Sequence, residues 1–308
     1  MNNPRCVVFG GGGFLGSHLV EQLLKKNFPV IVFARGSKTD NQNLSSVMSR
    51  IEFIKGDFNN FRLVSRIIKP NDVVFDLIAS SVPFSSMQLP IEEIKKHIFS
   101  HVQLIKTAAE KRVKKIIFFS SGGAVYQEKD MKPVSEKTLL QPASPHAISK
   151  TTIEYYLNYF SHIHQTPYLI YRLSNPYGPR QVAHKGFAIV PTLFNKVIKN
   201  KRPTLFNHGG IIRDFIYVDD AIEAITKSFN KKNQYSVYNI GSGRGTSLKT
   251  LWLEIQKITQ TSLKPKYQPK RPIDRQAIIL NINRFKHEYR WQPKINLPEG
   301  LKKTWQTY

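Results

Sequence analysis

A glycine-rich turn between a short apolar run and an amphipathic helix constrains the fold of this chain more than any other feature. The segment "RCVVFGGGGFLGSHLVEQLLKK", residues 5–26, opens with a strand pattern and continues with apolar residues at helical spacing. Gly10, Gly13 and Gly16 stand three residues apart. The first permits a tight turn, the second lets the backbone approach a pyrophosphate, and the third allows close packing of the helix. The segment therefore predicts a dinucleotide-binding βα unit with phosphate at the helix N-terminus.

Five further apolar runs have the length and composition of buried strands, and helical patterns separate most of them. They cover residues 30–34, 51–55, 72–79, 115–121 and 168–174. Alternation of helices with strands this apolar is typical of a parallel sheet covered on both faces. We therefore predict an α/β fold built on a Rossmann-like, doubly wound parallel sheet.

The pattern becomes irregular after "NPYGP", residues 175–179, and predicts a smaller, interleaved C-terminal lobe for the substrate. Helices are expected near 187–200, 247–259 and 297–306, with a strand at "SVYNIG". The dinucleotide-binding domain is predicted to span residues 1–174, with 215–241 returning to it. The substrate lobe takes residues 175–214 and 242–308.

Composition narrows the class of partner. Lys and Arg number 46 against 21 Asp and Glu, a net charge of +25 that favours anionic ligands. The basic residues are scattered in pairs without interleaved aromatics, so a diphosphate is expected rather than nucleic acid. The sequence offers neither a membrane-length apolar run nor a signal peptide, which predicts a cytoplasmic protein. Cys6, the single cysteine, is expected to be buried and inert, and the histidines lack acidic or cysteine partners at metal spacing.

Several further motifs together resemble one family. They are "GDF" at 56–58, "FFSSGGAVY" at 118–126, "SPHAISK" at 144–150, "RLSNPYGPRQ" at 172–181, "RDFIYVDD" at 213–220, "YNIGSGRG" at 238–245 and "WQP" at 291–293. The chain thus resembles the extended short-chain dehydrogenase/reductases of the NAD-dependent epimerase/dehydratase family, in particular the UDP-glucose 4-epimerase-like members. The resemblance implies a UDP-linked sugar substrate, transient oxidation at carbon 4, and a homodimer that pairs two helices from each subunit.

The family's catalytic motif is altered here. The resemblance implies a tyrosine as proton-transfer base four residues before a lysine that holds the nicotinamide ribose. Lys150 matches that lysine, but His146 stands in the tyrosine's place. An imidazole, with an ordinary pKa of ~6.5, is mostly neutral at pH 7 and is already a competent base, and a nearby ammonium would keep it so. The alternative is that His146 only caps a helix and the base has been lost.

The resemblance also assigns other site residues. Gly122 occupies a position where the family often has Ser or Thr, so Ser121 is the closest hydroxyl for the substrate oxygen. His97 stands where the family has a cofactor-side asparagine, which leaves the role of that position in doubt. Gly123 and Ala124 replace the acid pair of the dehydratases, which argues against dehydration. The diphosphate and sugar are expected to contact Tyr126, Asn175, Arg213 and Arg271.

The cofactor is predicted from the ends of two strands. Ala34 cannot supply the acceptor that NAD enzymes offer to the adenosine ribose, whereas Arg35, with Lys38 nearby, suits the 2′-phosphate of NADP. The resemblance nevertheless favours NAD. It also implies that Asp57 accepts from the adenine amino group, although a helix-capping role for this aspartate is the alternative. The cofactor-binding set is completed by Gly10, Gly13, Phe14, Leu15, Gly16, Phe58 and Lys150.

Three functions follow from these features. The leading hypothesis is a nucleotide-sugar 4-epimerase, in which His146 and Lys150 carry out the proton transfer. A reductase of a 4-keto nucleotide-sugar that uses NADP is favoured by Arg35. A binding protein without catalysis is favoured by His97, Gly122, Ala124 and His146, whereas Arg213 and Arg271 argue against it.

Overall fold

The computed structural model describes residues 3–79, 83–128, 131–183, 188–271 and 274–308. The strands are β1 (Cys6–Phe9), β2 (Val30–Ala34), β3 (Glu52–Lys55), β4 (Val73–Asp76), β5 (Lys115–Ser121), β6 (Tyr168–Leu173), β7 (Asn175–Tyr177), β8 (Thr204–Phe206), β9 (Ile212–Tyr217), β10 (Val237–Ile240), β11 (Gly245–Ser247), β12 (Lys266–Gln268) and β13 (Ala277–Ile278). The helices are α1 (Phe14–Lys25), α2 (Phe61–Ile67), α3 (Pro83–Gln88), α4 (Pro90–Glu93), α5 (Phe99–Glu110), α6 (Gly122–Val125), α7 (Pro145–His164), α8 (Ile189–Ile198), α9 (Val218–Ser228), α10 (Leu248–Thr259), α11 (Asn283–Tyr289) and α12 (Leu297–Trp305). Two 3₁₀ segments, Gln42–Arg50 and Asn207–Gly209, and a π-helical segment, Ile94–Ile98, complete the description.

A large sheet with the order β10-β6-β5-β4-β1-β2-β3 is the main layer of the fold. Every residue of β1, β2 and β4 is buried. These strands consist mainly of Val, Ile and Phe, as is typical of strands in a sheet that is covered on both faces. Strand β1 pairs in parallel with both β2 and β4, and Phe9 lies opposite Asp76 at their carboxyl ends. The predicted doubly wound parallel sheet is confirmed. Its strand order reverses direction between β1 and β4, where such sheets bind their ligands.

The chain divides into two compact units, neither of which is one continuous segment. The first comprises residues 1–120, 145–171 and 222–237, and the second comprises residues 121–144, 172–221 and 238–308. The assignment of one part of the chain to the dinucleotide and the other to the substrate stays a prediction. Residues 121–144, assigned by the sequence to the dinucleotide-binding domain, pack within the second unit.

The core of the first unit is formed by side chains of the sheet and of the helices that cover it. Val7, Phe9 and Phe118 from the strands pack with Leu104 of α5 and Leu157 of α7. These residues belong to the apolar strands and to the apolar faces of the helices, and both face the core. Across the described ranges, no helix is long and apolar enough to cross a membrane.

The second unit is organised around β9. Strand β7 pairs with it in parallel, β11 pairs antiparallel, and β13 pairs in parallel with Ile278 opposite Arg213. Asp214, fully buried on β9, accepts hydrogen bonds from the backbone N–H groups of Ser242, Gly243 and Leu280. Burial raises the pKa of this carboxyl and the hydrogen bonds oppose that rise. Asp214 thereby fixes the "GSGR" loop against the strand.

Candidate active site

The glycine turn between β1 and α1 has the geometry that its spacing indicates. Gly10 has a φ of +83°, which a side chain would strain, and its carbonyl accepts from the N–H of Gly13 at 3.1 Å. A Cβ at Gly16 would press into the carbonyl oxygen of Gly10, so this glycine is required for packing. A Cβ at the exposed Gly13 would meet only that same oxygen, at 3.3 Å. Gly13 is therefore not needed for packing, which leaves approach of a ligand as the reason for its small size.

A cleft of about 450 Å³ lies beside this turn, at the carboxyl end of β2. It is lined by Arg35, Gly36, Lys55, Gly56, Asp57, Asn60 and Leu63. Asn41 holds the loop that carries Arg35, because its amide donates to the carbonyls of Arg35 and Ser37 at 2.9 and 2.8 Å. Asn43 donates to the carbonyl of Gly12 at 3.1 Å and ties the loop to the glycine turn. No sequence motif singles out Asn41, Asn43 or Lys55.

Asp57 and Phe58 have different surroundings. The carboxylate of Asp57 is exposed in the cleft and accepts from the backbone and side-chain nitrogens of Asn59, at 2.8 and 2.9 Å. The alternative interpretation, that Asp57 caps the following helix, is wrong: Asn60 is the N-cap of α2 and accepts from the backbone N–H of Leu63 at 3.1 Å. The ring of Phe58 is buried, 6.0 Å from that of Phe9 and 5.1 Å from that of His101. The adenine contact of Asp57 stays a prediction.

His146 and Lys150 lie on the buried face of α7, which Pro145 opens at a position where its missing N–H costs nothing. The backbone N–H of His146 donates to the hydroxyl of Ser86 at 3.1 Å. Lys150 donates from Nζ to the carbonyl of Phe119 at 3.0 Å, and its ammonium lies 4.6 Å from the ring centroid of Phe118. The helix therefore brings the two predicted acid–base residues together on one face.

Burial controls the charge of both groups. It lowers the pKa of His146 to about 3, with the positive charge of Lys150 as the second cause. Burial also lowers the pKa of Lys150, while the carboxylates of Asp76, Glu93 and Glu154 oppose that change. The imidazole of His146 is thus neutral at pH 7, as the sequence argument required.

A second group of imidazoles, which the sequence reasoning did not find, lies in the same unit. His101 of α5 places Nδ1 2.5 Å from Oδ2 of Asp76, and its Nε2 lies 3.1 Å from Nδ1 of His97. The ring of His97 is nearly parallel to that of His146, with 6.3 Å between centroids and 21° between planes. His97 was noticed only as a departure from the family's asparagine. A signal was present in the spacing of His97 and His101, which are four residues apart on one helix.

The hydroxyls near the end of β5 are divided between the units. Ser120, in the first unit, is buried and donates to Oε1 of Glu154 at 2.5 Å. Ser121 is the first residue of the second unit and the N-cap of α6, and it is only partly buried. A Cβ at Gly122 would stand 2.6 Å from the side chain of Leu280, which explains why a serine or threonine does not fit there. The contact of Ser121 with substrate stays a prediction.

Tyr126 and Asn175 are both engaged within the second unit. The hydroxyl of Tyr126, fully buried, donates to Asn239 at 2.6 Å and accepts from Arg172 at 3.0 Å. The guanidinium of Arg172 also lies 4.9 Å from the Tyr126 ring centroid. These contacts inside the second unit account for a tyrosine at position 126. Asn175 donates to the carbonyl of Asp214 at 2.9 Å and remains partly buried.

Arg213 and Arg271 belong to a cluster of basic groups in the second unit that also includes Arg275. Arg213 donates to the carbonyls of Ile212 and Arg275, at 2.8 and 3.0 Å. Burial lowers its pKa, the charges of Arg275 and Arg271 lower it further, and Asp274 and Glu128 oppose them. Arg271 binds Asp274 through two nitrogens, at 2.8 and 2.7 Å, and stacks 4.3 Å from the ring centroid of Phe206. The structure thus brings the two predicted arginines into one charged neighbourhood and adds Arg275.

Comparison with known proteins identifies the family of this chain. Residues 6–241 match the model of the NAD dependent epimerase/dehydratase family. The chain is 30% identical to UDP-glucose 4-epimerase of Mycolicibacterium smegmatis, with 97% of each chain covered. The chain belongs to the NAD dependent epimerase/dehydratase family.

Solved structures of epimerases have the same fold as this chain. The UDP-glucose 4-epimerase of Thermotoga maritima with UDP-glucose is similar over 98% of each chain, with 32% identity and a TM-score of 0.91. The UDP-glucose 4-epimerase of Thermus thermophilus in complex with NAD is similar over 98% of each chain, with 27% identity and a TM-score of 0.88. The predictions of family, fold and enzyme class are confirmed: the protein is an enzyme of the epimerase/dehydratase family with a Rossmann-like fold.

Cys6 lies in β1 with its side chain fully buried, and burial raises the pKa of its thiol, so the cysteine is inert as expected. Among the residues that the structure describes, no group of three or more His, Cys, Asp or Glu side chains is arranged to hold a metal ion.

Proposed function

We propose that this enzyme is a nucleotide-sugar 4-epimerase that acts on a UDP-linked hexose, retains NAD, and uses His146 as its proton-transfer base. The observation that carries the proposal is the buried, neutral imidazole of His146 one helical turn from Lys150, where the family has its tyrosine and lysine. A base must be unprotonated when the substrate binds, and the surroundings of His146 meet that requirement.

The glycine turn fits a dinucleotide. Gly13 is exposed at the start of α1 with room for an approaching pyrophosphate, and the first turn of the helix contains no acidic residue to repel it. Bound NAD supplies reversible hydride transfer at carbon 4 of the sugar. Lys150 would hold the cofactor's ribose and, through its positive charge, keep His146 neutral.

The arginine cluster fits the diphosphate of a nucleotide-sugar. Arg213, Arg271 and Arg275 concentrate positive charge around β9 and the segment that follows β12. Guanidinium groups bind phosphate oxygens through paired hydrogen bonds. The bond of Arg271 to Asp274 would have to be shared or exchanged when a phosphate binds, whereas the guanidinium of Arg213 donates to two backbone carbonyls.

An exposed apolar face on α7 supports the homodimer. Tyr155, Tyr159 and Ile163 follow each other at four-residue spacing and are exposed, and α5, which packs beside α7, exposes Phe99. Exposed aromatic groups on adjacent helices are typical of an interface between subunits. The dimer would pair these two helices with their copies.

The proposed function is tested by product analysis and by release of the cofactor. Purified protein is incubated with UDP-glucose, the conversion to UDP-galactose is followed by NMR, and the dinucleotide is identified after denaturation. Epimerisation without net consumption of cofactor, lost in His146→Ala and retained in His146→Tyr, is the expected result. His162→Ala, at an exposed position on the same helix, is the matched control. Full activity in His146→Ala overturns the role of the histidine, and a wild type inert on every UDP-hexose supports a binding protein instead.

A reductase that uses NADP is the second candidate, and the cleft at β2 favours it. Arg35 and Lys55 both line this cleft, next to Ala34, which offers no acceptor for a ribose hydroxyl. Stoichiometric oxidation of NADPH with a 4-keto nucleotide-sugar, together with released NADP rather than NAD, would identify this activity.

A further inference from the structure

A hydrogen-bonded chain of three buried side chains runs from the end of β4 to the neighbourhood of His146. Asp76 is 1% exposed, and His101 and His97 are both 0% exposed. The carboxylate of Asp76 meets Nδ1 of His101 at 2.5 Å, and Nε2 of His101 meets Nδ1 of His97 at 3.1 Å. The distance between the two imidazoles lies in the ordinary range for a hydrogen bond, and that between Asp76 and His101 is shorter than this range.

Packing does not account for this chain. His101 lies between the rings of Phe58 and Phe118, with centroid distances of 5.1 and 6.0 Å, in surroundings that an apolar side chain would fill at least as well. A buried polar network is costly unless every member is bonded, and replacing it with apolar groups is often neutral or stabilising. The helix also departs from α geometry at Ile94–Ile98, a π-helical segment of the kind found at functional sites, and His97 lies within it.

With His101 neutral, the two hydrogen bonds require one tautomer of each ring. A carboxylate is an acceptor only, so His101 must carry its proton on Nδ1. The Nε2 atom of a neutral His101 is then an acceptor, and His97 must donate to it from Nδ1. His97 therefore presents Nε2 as an acceptor. Burial lowers the pKa of His97, and the positive charge of Lys150 lowers it further, so its ring is neutral.

We propose that Asp76, His101 and His97 form an internal proton store for the reaction at His146, in which Asp76 and His101 act as positioning residues for His97. This inference rests on the proposed function. The rings of His97 and His146 are 6.3 Å apart between centroids and nearly parallel, a separation that one bridging oxygen, of water or of a sugar hydroxyl, can span.

The proton balance of the store closes without an outside donor. His146 takes the proton released by the sugar hydroxyl and passes a proton through the bridging oxygen to Nε2 of His97, and the Nδ1 proton of His97 passes to Nε2 of His101. The Nδ1 proton of His101 passes to Oδ2 of Asp76. Both imidazoles end neutral with exchanged tautomers, and Asp76 ends as a neutral acid. Reversal returns one proton to the sugar oxygen, as an epimerase requires because it must restore the proton that it removed.

The first test reads the tautomers and needs no substrate. In protein labelled with ¹⁵N-histidine, NMR is expected to find Nδ1–H on both His97 and His101, with a downfield proton shared between His101 and Asp76. Asp76→Asn should abolish that downfield proton. Asp72→Asn is the matched control: Asp72 is also buried, directly precedes β4 at its other end, and bonds Arg5 instead. A proton on Nε2 but not on Nδ1 of His101 in the wild type overturns the inference, even if the enzyme proves inert on nucleotide-sugars.

The second test reads proton transfer during turnover. In mixtures of H₂O and D₂O, the rate of single-turnover epimerisation by the wild type should vary non-linearly with the deuterium fraction, because several protons move together. In Asp76→Asn the dependence should become linear and the rate should fall about 100-fold, the scale of general acid–base catalysis, with substrate affinity unchanged. An unchanged rate and curve in Asp76→Asn overturns the proton store while leaving the proposed epimerase intact.

A second variant covers the case in which Asp76→Asn does not fold. His101→Gln keeps an amide that can accept and donate in the same chain, but an amide does not pass a proton from one atom to the other. The same loss of rate and of curvature is expected for His101→Gln. Wild-type kinetics in a folded His101→Gln overturn the inference.

Discussion

Acidification should destabilise this protein well above the pH at which its carboxylates titrate, because His97 and His146 are buried in their neutral forms. Burial and nearby positive charge lower the pKa of both rings, that of His146 to about 3. In the unfolded chain both titrate near ~6.5. Between those values the unfolded state binds more protons than the folded state, so stability is complete above ~6.5 and is lost as the pH falls.

The magnitude follows from the width of that window. Each ring loses about 1.4 kcal/mol of stabilisation per pH unit below ~6.5, or about 2 kcal/mol at pH 5. The two rings together lose about 4 kcal/mol, a large part of the 5–15 kcal/mol by which domains are typically stable. The loss for His146 ends near pH 3. Most unfolded carboxylates remain ionised at pH 5, so the range from 7 to 5 isolates the histidines.

The assay is the free energy of unfolding in urea at several pH values between about 7.5 and 5. His146→Tyr removes one of the two groups and should halve the decline. His162→Gln, at an exposed position on α7, should leave it unchanged. A free energy that stays constant across this range, or a decline that is the same in His146→Tyr, would refute the burial argument for these rings.

Three further outcomes follow from the binding sites. Gly13→Ala should fold normally and lose dinucleotide affinity in calorimetry. Gly16→Ala should lower the melting temperature, because only the Cβ at position 16 presses into the backbone. Equal melting temperatures of the two variants would contradict this. Arg35→Ala should weaken NADP more than NAD, and an unchanged affinity ratio would show that the β2 cleft does not select the cofactor. Arg213→Ala should weaken UDP-sugar by about 1.5 to 3 kcal/mol while sparing the dinucleotide, and equal losses would contradict the assignment.

The sheet could be predicted from the sequence because its signal is local. Runs such as "VIVFA" and "KIIFFSS" coincide with β2 and β5, since a strand buried on both faces needs only consecutive apolar residues. The turn at Gly10 was equally readable, because its positive φ and the packing at Gly16 restrict both positions to glycine. The assignment of residues 121–144 to a unit was not local, because it depends on contacts such as that between Tyr126 and Asn239, 113 positions apart.

The sequence predicted the proximity of site residues only where they lie on the same helix. The spacing of His146 and Lys150 placed them on one face of α7, and the structure agrees. The chain from Asp76 to His97 joins a strand end to a helix 25 residues later, and no periodic pattern links those positions. Arg275 was missed for a similar reason, since its neighbourhood with Arg213 arises from the pairing of β13 with β9.

A double-mutant cycle decides how the proton store and the base depend on each other. With a pKa of about 3, His146 holds a proton at a cost of about 5 kcal/mol relative to an ordinary imidazole, so it needs somewhere to pass the proton on. A tyrosine at this position would act as a phenolate beside Lys150 and would keep the proton as a stable phenol. Asp76→Asn should therefore slow epimerisation much less in the His146→Tyr background than in the wild type, a clear departure from additivity. If single-turnover rates instead show the same loss in both backgrounds, Asp76 does not act through the base at residue 146.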